Sequence, residues 1–197
     1  MAGKKIAVAK KQAKAKTKKT EKGPAQRRNV VIFADDQPRW HKHVERTKES
    51  KLPKLKNILT NCEIRSAADA DELMEAIRKA LDEVDVDLIF VFLDLNFPDI
   101  QTGLATLNRL RRNSDDRVRQ IPVFVYSISK DQSEVAAVQT RGGNGYFHKV
   151  DHPDTFWEAL QTIDRSDASQ WPRPGQAADV IKGRRPANDL ASAQFLQ

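Results

Sequence analysis

The sequence predicts an α/β fold, a five-stranded parallel sheet covered by helices on both faces and preceded by a disordered basic tail. Three observations predict it. Short apolar, β-branched runs alternate with stretches whose apolar residues recur at helical spacing. The strand-like runs are apolar almost throughout, as strands of a parallel sheet between two helical layers must be. Finally, the residues able to do chemistry stand at the ends of those runs, where open parallel sheets keep their crevices.

Residues 29–34 (NVVIFA) form the first buried strand, ending at Asp35-Asp36, and Pro38 follows where the first turn of a helix tolerates it. Residues 40–59 have helical tendency but are highly charged, with Pro53 as an interruption. Residues 62–66 alternate and make a second strand. Leu73, Ile77 and Leu81, spaced i, i+4 and i+8, mark an amphipathic helix within residues 68–84. Residues 87–94 (DLIFVFLD) carry the strongest strand signal, and Leu104, Leu107 and Leu110 give the next helical stripe. Residues 121–126 are a fourth strand. Val135 and Val138 belong to a helix stopped by Gly142-Gly143. Residues 145–150 make the fifth strand, and Asp151 and Pro153 open a last helix with Phe156, Trp157, Leu160 and Ile163.

A hydrophobic content of 39% over 197 residues suits one core with tails. The longest apolar run, residues 86–95, is broken by Asp87 and Asp94 and falls far short of the roughly 20 residues a membrane span needs. No apolar stretch follows the charged N-terminus, so no secretory signal is expected. Cys62 is the single cysteine, which excludes an internal disulfide and points to a reducing, cytoplasmic setting.

The net charge of +7 is unevenly divided. Residues 1–28 hold nine Lys and two Arg against one Glu, whereas the remainder holds 23 basic and 26 acidic side chains. Three regions follow: a disordered Lys-rich tail over 1–28, a folded domain over 29–164 and a polar tail over 165–197. The basic tail suits either attachment to nucleic acid or another acidic surface, or simple solubilisation. Its Lys runs contain no aromatic residue, so base stacking has no support.

In a parallel sheet, Asp35, Asp36, Asp94, Ser127 and Lys149 converge at the carboxyl ends of strands one, three, four and five. Three carboxylates repel one another, and a hard divalent cation such as Mg²⁺ resolves the repulsion. The Lys149 ammonium and the Ser127 hydroxyl supply the charge and the donor that phosphoryl oxygens require. Each residue alone has a plainer reading, as a helix cap for the acidic pair or a turn hydroxyl for Ser127. The joint spacing is what carries the chemistry.

That spacing resembles the receiver domain of two-component response regulators, of the chemotaxis-regulator type with a flavodoxin-like (βα)5 fold. The matching elements are Asp35-Asp36-Gln37-Pro38, Asp94-Leu-Asn-Phe-Pro98 with Gly103, Ser127, and Tyr146-Phe-His-Lys149, over roughly residues 29–164. The resemblance implies that Asp94 accepts a phosphoryl group from a histidine kinase or phosphotransfer protein. It implies Mg²⁺ held by Asp35, Asp36, Asp94 and the backbone carbonyl of Asn96. Ser127 and Lys149 would contact the phosphoryl oxygens, and Tyr146 would be the aromatic of the switch. Val150 departs from the usual proline after the lysine, and residues 51–56 read as an insertion.

Residues 165–197 are too few and too polar for a second folded module, so a stand-alone regulator acting by protein contact is expected. One alternative is a nucleic-acid-associated regulator working through the basic tail. Another is a phosphatase with an Asp nucleophile, for which Asn96 stands where a second Asp belongs; slow self-dephosphorylation is the most that is expected. His41, His43 and His148 read as surface or strand residues, Cys62 as a small buried hydrophobe, Trp40 with Val44 as a packing pair, and Trp157 as core or part of an output face.

Overall fold

The computed structural model describes residues 27–97, 100–150, 152 and 154–166, with backbone alone for 100 and 101. The Lys-rich tail before residue 27 and the polar stretch after 166 lie outside the described residues, as do the readings placed on them. Among the described residues, five strands and six α-helices follow in the order β1 (Arg28–Ala34), α1 (Pro38–Lys51), β2 (Cys62–Ala67), α2 (Ala70–Asp82), β3 (Val86–Leu93), α3 (Ile100–Arg111), α4 (Asp116–Arg119), β4 (Val123–Ser127), α5 (Gln132–Thr140), β5 (Gly145–His148) and α6 (Thr155–Asp164). All strand pairs are parallel, and the order across the sheet is β2-β1-β3-β4-β5. This is the flavodoxin-like arrangement, whose order reverses between β1 and β3 and opens a crevice there.

The strands are apolar on both faces, but the faces differ in kind. Val30, Ile32, Ile89, Val91, Leu93, Val123 and Val125 form an aliphatic layer under α2, α3 and α5. Residues of the other parity, Phe33, Phe90, Phe92, Phe124, Tyr126 and Phe147, form an aromatic layer under α1 and α6. Strand side chains alternate between faces with period two, so a one-residue slip would exchange these layers and leave neither packed. In register, Phe33 lies beside Phe92, Phe92 beside Phe124, and Tyr126 beside Phe147.

The layer on α6 is tied to α1 by polar contacts. The Trp157 indole N–H donates to the Thr47 hydroxyl at 2.9 Å, and Lys51 pairs with Asp154 at 2.9 Å. The buried Asp164 carboxylate accepts from the backbone N–H groups of Lys56, Asn57 and Leu59 at 2.9, 3.1 and 2.8 Å. Those residues belong to the segment between α1 and β2, which includes a 3₁₀ turn at Leu52–Lys54. The long connection anticipated around residues 51–56 is therefore packed against the last helix, with Leu55 and Leu59 buried.

Four details depart from the sequence reading. Arg28, grouped above with the tail, is the first residue of β1 and pairs with Glu63, Glu83 and Asp85. The short helix α4 was not legible; Asp115 caps it by accepting from the Arg117 N–H at 2.8 Å, and four residues are too few to show a stripe. β4 begins at Val123, because Pro122 has no N–H to give to a ladder. β5 stops at His148, so Val150 lies beyond it. Among the described residues no helix is long and apolar enough to cross a membrane.

Candidate functional site

The sheet register decides what meets at its carboxyl edge. The Asp94 N–H donates to the Ala34 carbonyl at 2.9 Å, and the Asp35 N–H to the Ala67 carbonyl at 3.1 Å. Both acidic residues are thereby fixed by the last rungs of the central strands. On the far side, the Lys149 N–H donates to the Ser127 carbonyl at 2.6 Å, which aligns the hydroxyl and the lysine. Asp35, Asp94, Ser127 and Lys149 are each no more than 1% exposed.

Lys149 joins the two buried acids. Its ammonium donates to Asp35 Oδ2 at 2.5 Å and to Asp94 Oδ2 at 2.8 Å. The remaining oxygens are held by backbone, Asp35 Oδ1 by the Gln37 N–H at 2.9 Å and Asp94 Oδ1 by the Asn96 N–H at 3.1 Å. Burial pushes the Asp35 carboxyl above its ordinary range, even with the Lys149 ammonium beside it.

Asp36 completes a triad. One oxygen from each of Asp35, Asp36 and Asp94 lies within 4.8 Å of the others. Asp36 Oδ1 is buried and has no hydrogen-bond partner. A buried carboxylate oxygen left unpaired is costly, and three carboxylates against one ammonium leave an excess of negative charge. An oxygen-rich set with one oxygen unsatisfied fits a hard divalent cation.

The predicted Tyr146, on β5, reaches the loop after β4. Tyr146 is 3% exposed, and its hydroxyl donates to the Ser129 carbonyl at 2.9 Å. Burial raises the Tyr146 phenol above its ordinary range, against a hydrogen bond to the Ser127 side chain. His148 lies next to the site, with Nε2 at 3.0 Å from the Ile128 carbonyl oxygen. All the side chains predicted from sequence for the site thus lie around one carboxyl edge, with Asn96 contributing its backbone.

Three residues of this neighbourhood were not anticipated in that role. Trp40 does pack in the aromatic layer with Val44, but its ring also lies 4.8 Å from the Lys149 ammonium. Tyr126 flanks the same ammonium from 5.6 Å, so the buried cation sits against two aromatic faces. His41, read above as a surface residue, is half-buried; its Nε2 bonds the Asp35 carbonyl oxygen and its ring lies 5.4 Å from Phe33. The available signal was positional: the first turn of a helix rising from a strand end overhangs whatever that strand end carries.

Residues 47–161 match the family model described as the response regulator receiver domain. The nitrate/nitrite response regulator protein NarL of Escherichia coli K12 is 35% identical over 79 residues, 40% of this chain and 33% of that protein. The chain thus aligns with about a third of NarL's length. The chemotaxis protein CheY1 of Helicobacter pylori is 26% identical over 109 residues, 55% of this chain and 84% of that protein. Among solved structures, a response regulator in red light signaling of R. palustris superposes with a TM-score of 0.55 at 19% identity, covering 75% of this chain and 99% of that one. The phosphorylated cyanobacterial phytochrome response regulator RcpA gives 0.52 at 21% identity, covering 70% and 91%. At such identities the structural likeness speaks to the fold alone.

Proposed function

Because this chain belongs to the response regulator receiver domain family of two-component signalling, we propose that Asp94 is its phosphoacceptor. The observation that carries this reading is the buried Lys149 bridge between Asp35 and Asp94, beside the unpartnered oxygen of Asp36. A carboxylate held by an ammonium and a backbone N–H is oriented, as an attacking group must be.

In the proposed step an Asp94 carboxylate oxygen forms a bond to the phosphorus of a phosphohistidine on a histidine kinase or phosphotransfer protein. The phosphorus–nitrogen bond breaks, and its electron pair stays on the imidazole. Asp35, Asp36, Asp94 and the Asn96 backbone carbonyl would hold Mg²⁺, which when bound neutralises charge on the phosphoryl oxygens. Lys149 would follow the phosphoryl oxygens and Ser127 would donate its hydroxyl to another. Loss of the Ser127 hydroxyl would leave Tyr146 free to change its contact with Ser129, which is the switch we assign to it.

Phosphorylated protein would then signal by contact with a downstream protein. Asn96 favours a phosphoacceptor over a turnover phosphatase, because an amide cannot serve as the general acid or base such an enzyme needs. Incubation with acetyl phosphate and Mg²⁺, followed by intact mass, tests the reading. A single phosphoryl adduct is expected in the wild type and none in Asp94→Asn. An adduct that survives this substitution overturns the assignment.

A further inference from the structure

The edge of the sheet opposite the carboxylates holds a second cluster of charge, of the other sign. A cleft of about 620 Å³ opens where α3 and α5 end and α4 lies, ahead of the amino ends of β4 and β5. Arg111, Arg112, Arg119 and Arg141 line it together with Asn108 and Thr140, and no carboxylate is among its lining residues. Like charges gathered around open space repel, and one counter-ion is at hand, Asp116, which pairs with Arg119.

The four guanidiniums are not equivalent. Arg111 is fixed, donating to the carbonyls of Gly142, Arg119 and Ile121 at 2.8, 3.0 and 2.9 Å, and to Asn144 Oδ1 at 2.8 Å. All its acceptors are neutral, so its charge is uncompensated, and burial lowers its pKa to about 10. Arg119 also donates to the Asn113 carbonyl at 2.6 Å. Arg141 is exposed and reaches the Ala137 carbonyl of its own helix at 3.2 Å. Arg112 is exposed, with no side-chain hydrogen bond or ion pair among the described residues. A rigid cation at the back and two exposed ones without a carboxylate partner at the rim describe a receptor rather than a closed ion-pair network.

The geometry points to a binding site for a polyphosphate group, carried by a nucleotide or by an inorganic chain. Arg112 and Arg141 grip its oxygens, and Arg111 supplies fixed charge behind them. Guanidinium forks match phosphate oxygens two at a time, which favours phosphate over a single carboxylate. The volume suits a ligand of nucleotide size. This assignment is independent of the phosphoacceptor reading, which concerns the other edge of the sheet.

Isothermal titration of the full chain with ATP and with inorganic tripolyphosphate, in EDTA, tests it. EDTA keeps metal out of the carboxylate site. Saturable binding of one ligand per chain is expected, weakened at least tenfold in the double variant R112Q/R141Q. Both side chains are exposed, so the variant should melt as the wild type does, and the single variants R112Q and R141Q should each lose part of the affinity. Equal affinity for the two ligands assigns recognition to phosphates alone, whereas tighter ATP binding adds a contact to the nucleoside. Absence of saturable binding, or binding unchanged in R112Q/R141Q because the Lys-rich tail takes the polyanion, overturns the proposal.

Discussion

At the scale of single residues, Lys149 is the side chain on which most depends. Its ammonium is the counter-charge within hydrogen-bonding reach of both Asp35 and Asp94, and all three are buried. Lys149→Met keeps the length of the side chain and removes the charge, leaving two carboxylates facing each other. Loss of one partner from a buried ionic cluster typically costs about 3–5 kcal/mol. Urea unfolding in EDTA should show a loss of that size, and Mg²⁺ should restore most of it. A variant as stable as the wild type without metal would contradict the buried bridge. The place of Lys149 at the carboxyl edge was legible from its position after an apolar strand, whereas its aromatic neighbours Trp40 and Tyr126 were not. Sequence spacing places a residue at an edge, but which ring lies over which cation depends on how α1 is tilted across the sheet. Cys62 shows a similar gap: it was read as buried, and it is half-buried, yet burial still pushes its thiol up to about 12.

At the scale of elements, the loop after β3 is held by how closely α3 approaches it. A Cβ built on Gly103 would lie 2.2 Å from the Leu95 carbonyl oxygen, which is closer than any real contact. Leu95 and Phe97 are both fully buried, so this loop has no room to retreat. Gly103→Ala should therefore displace the backbone that carries Asp94 and Asn96. Overpacking of this kind costs about 1–3 kcal/mol. The rate of adduct formation with acetyl phosphate should fall by more than the stability change explains, because the displaced atoms include those of the proposed phosphoacceptor. Strands and long helices were readable because burial on both faces and the 3.6-residue stripe are written directly in the side chains. The helix α4 and the true start of β4 were not, since a four-residue turn has no period and Pro122 blurs a strand edge.

At the scale of the whole molecule, the amino end of β1 and its neighbours is closed by a strip of charge. Arg28 and Arg65 pair with Glu63 and Glu83, with Arg65 at 2.7 Å from Glu63 and 2.6 Å from Glu83. Hydrogen bonds from Arg65 hold both glutamates below their ordinary range. A carboxyl that titrates lower folded than unfolded adds stability above the ordinary value of about 4.3. That stability drains away as the pH falls through the depressed values. The urea midpoint should drop between about pH 5 and pH 3 more steeply in wild type than in E63Q/E83Q. High salt should shrink the difference, because the strip is partly exposed. Parallel slopes for the two proteins would remove the strip from any account of acid stability. The parallel order of the sheet followed from the sequence, but this strip did not, because its members lie far apart in the chain. The same is true of Asp164, whose carboxylate holds the amide groups of residues more than a hundred positions earlier. For a chain growing from the ribosome, this means that all five strands can have emerged while the segment before β2 still lacks its acceptor and the aromatic layer its cover. Translation must pass residue 164 before the fold can latch, so a pause or truncation just short of that point leaves a sheet with one greasy side open to chaperones.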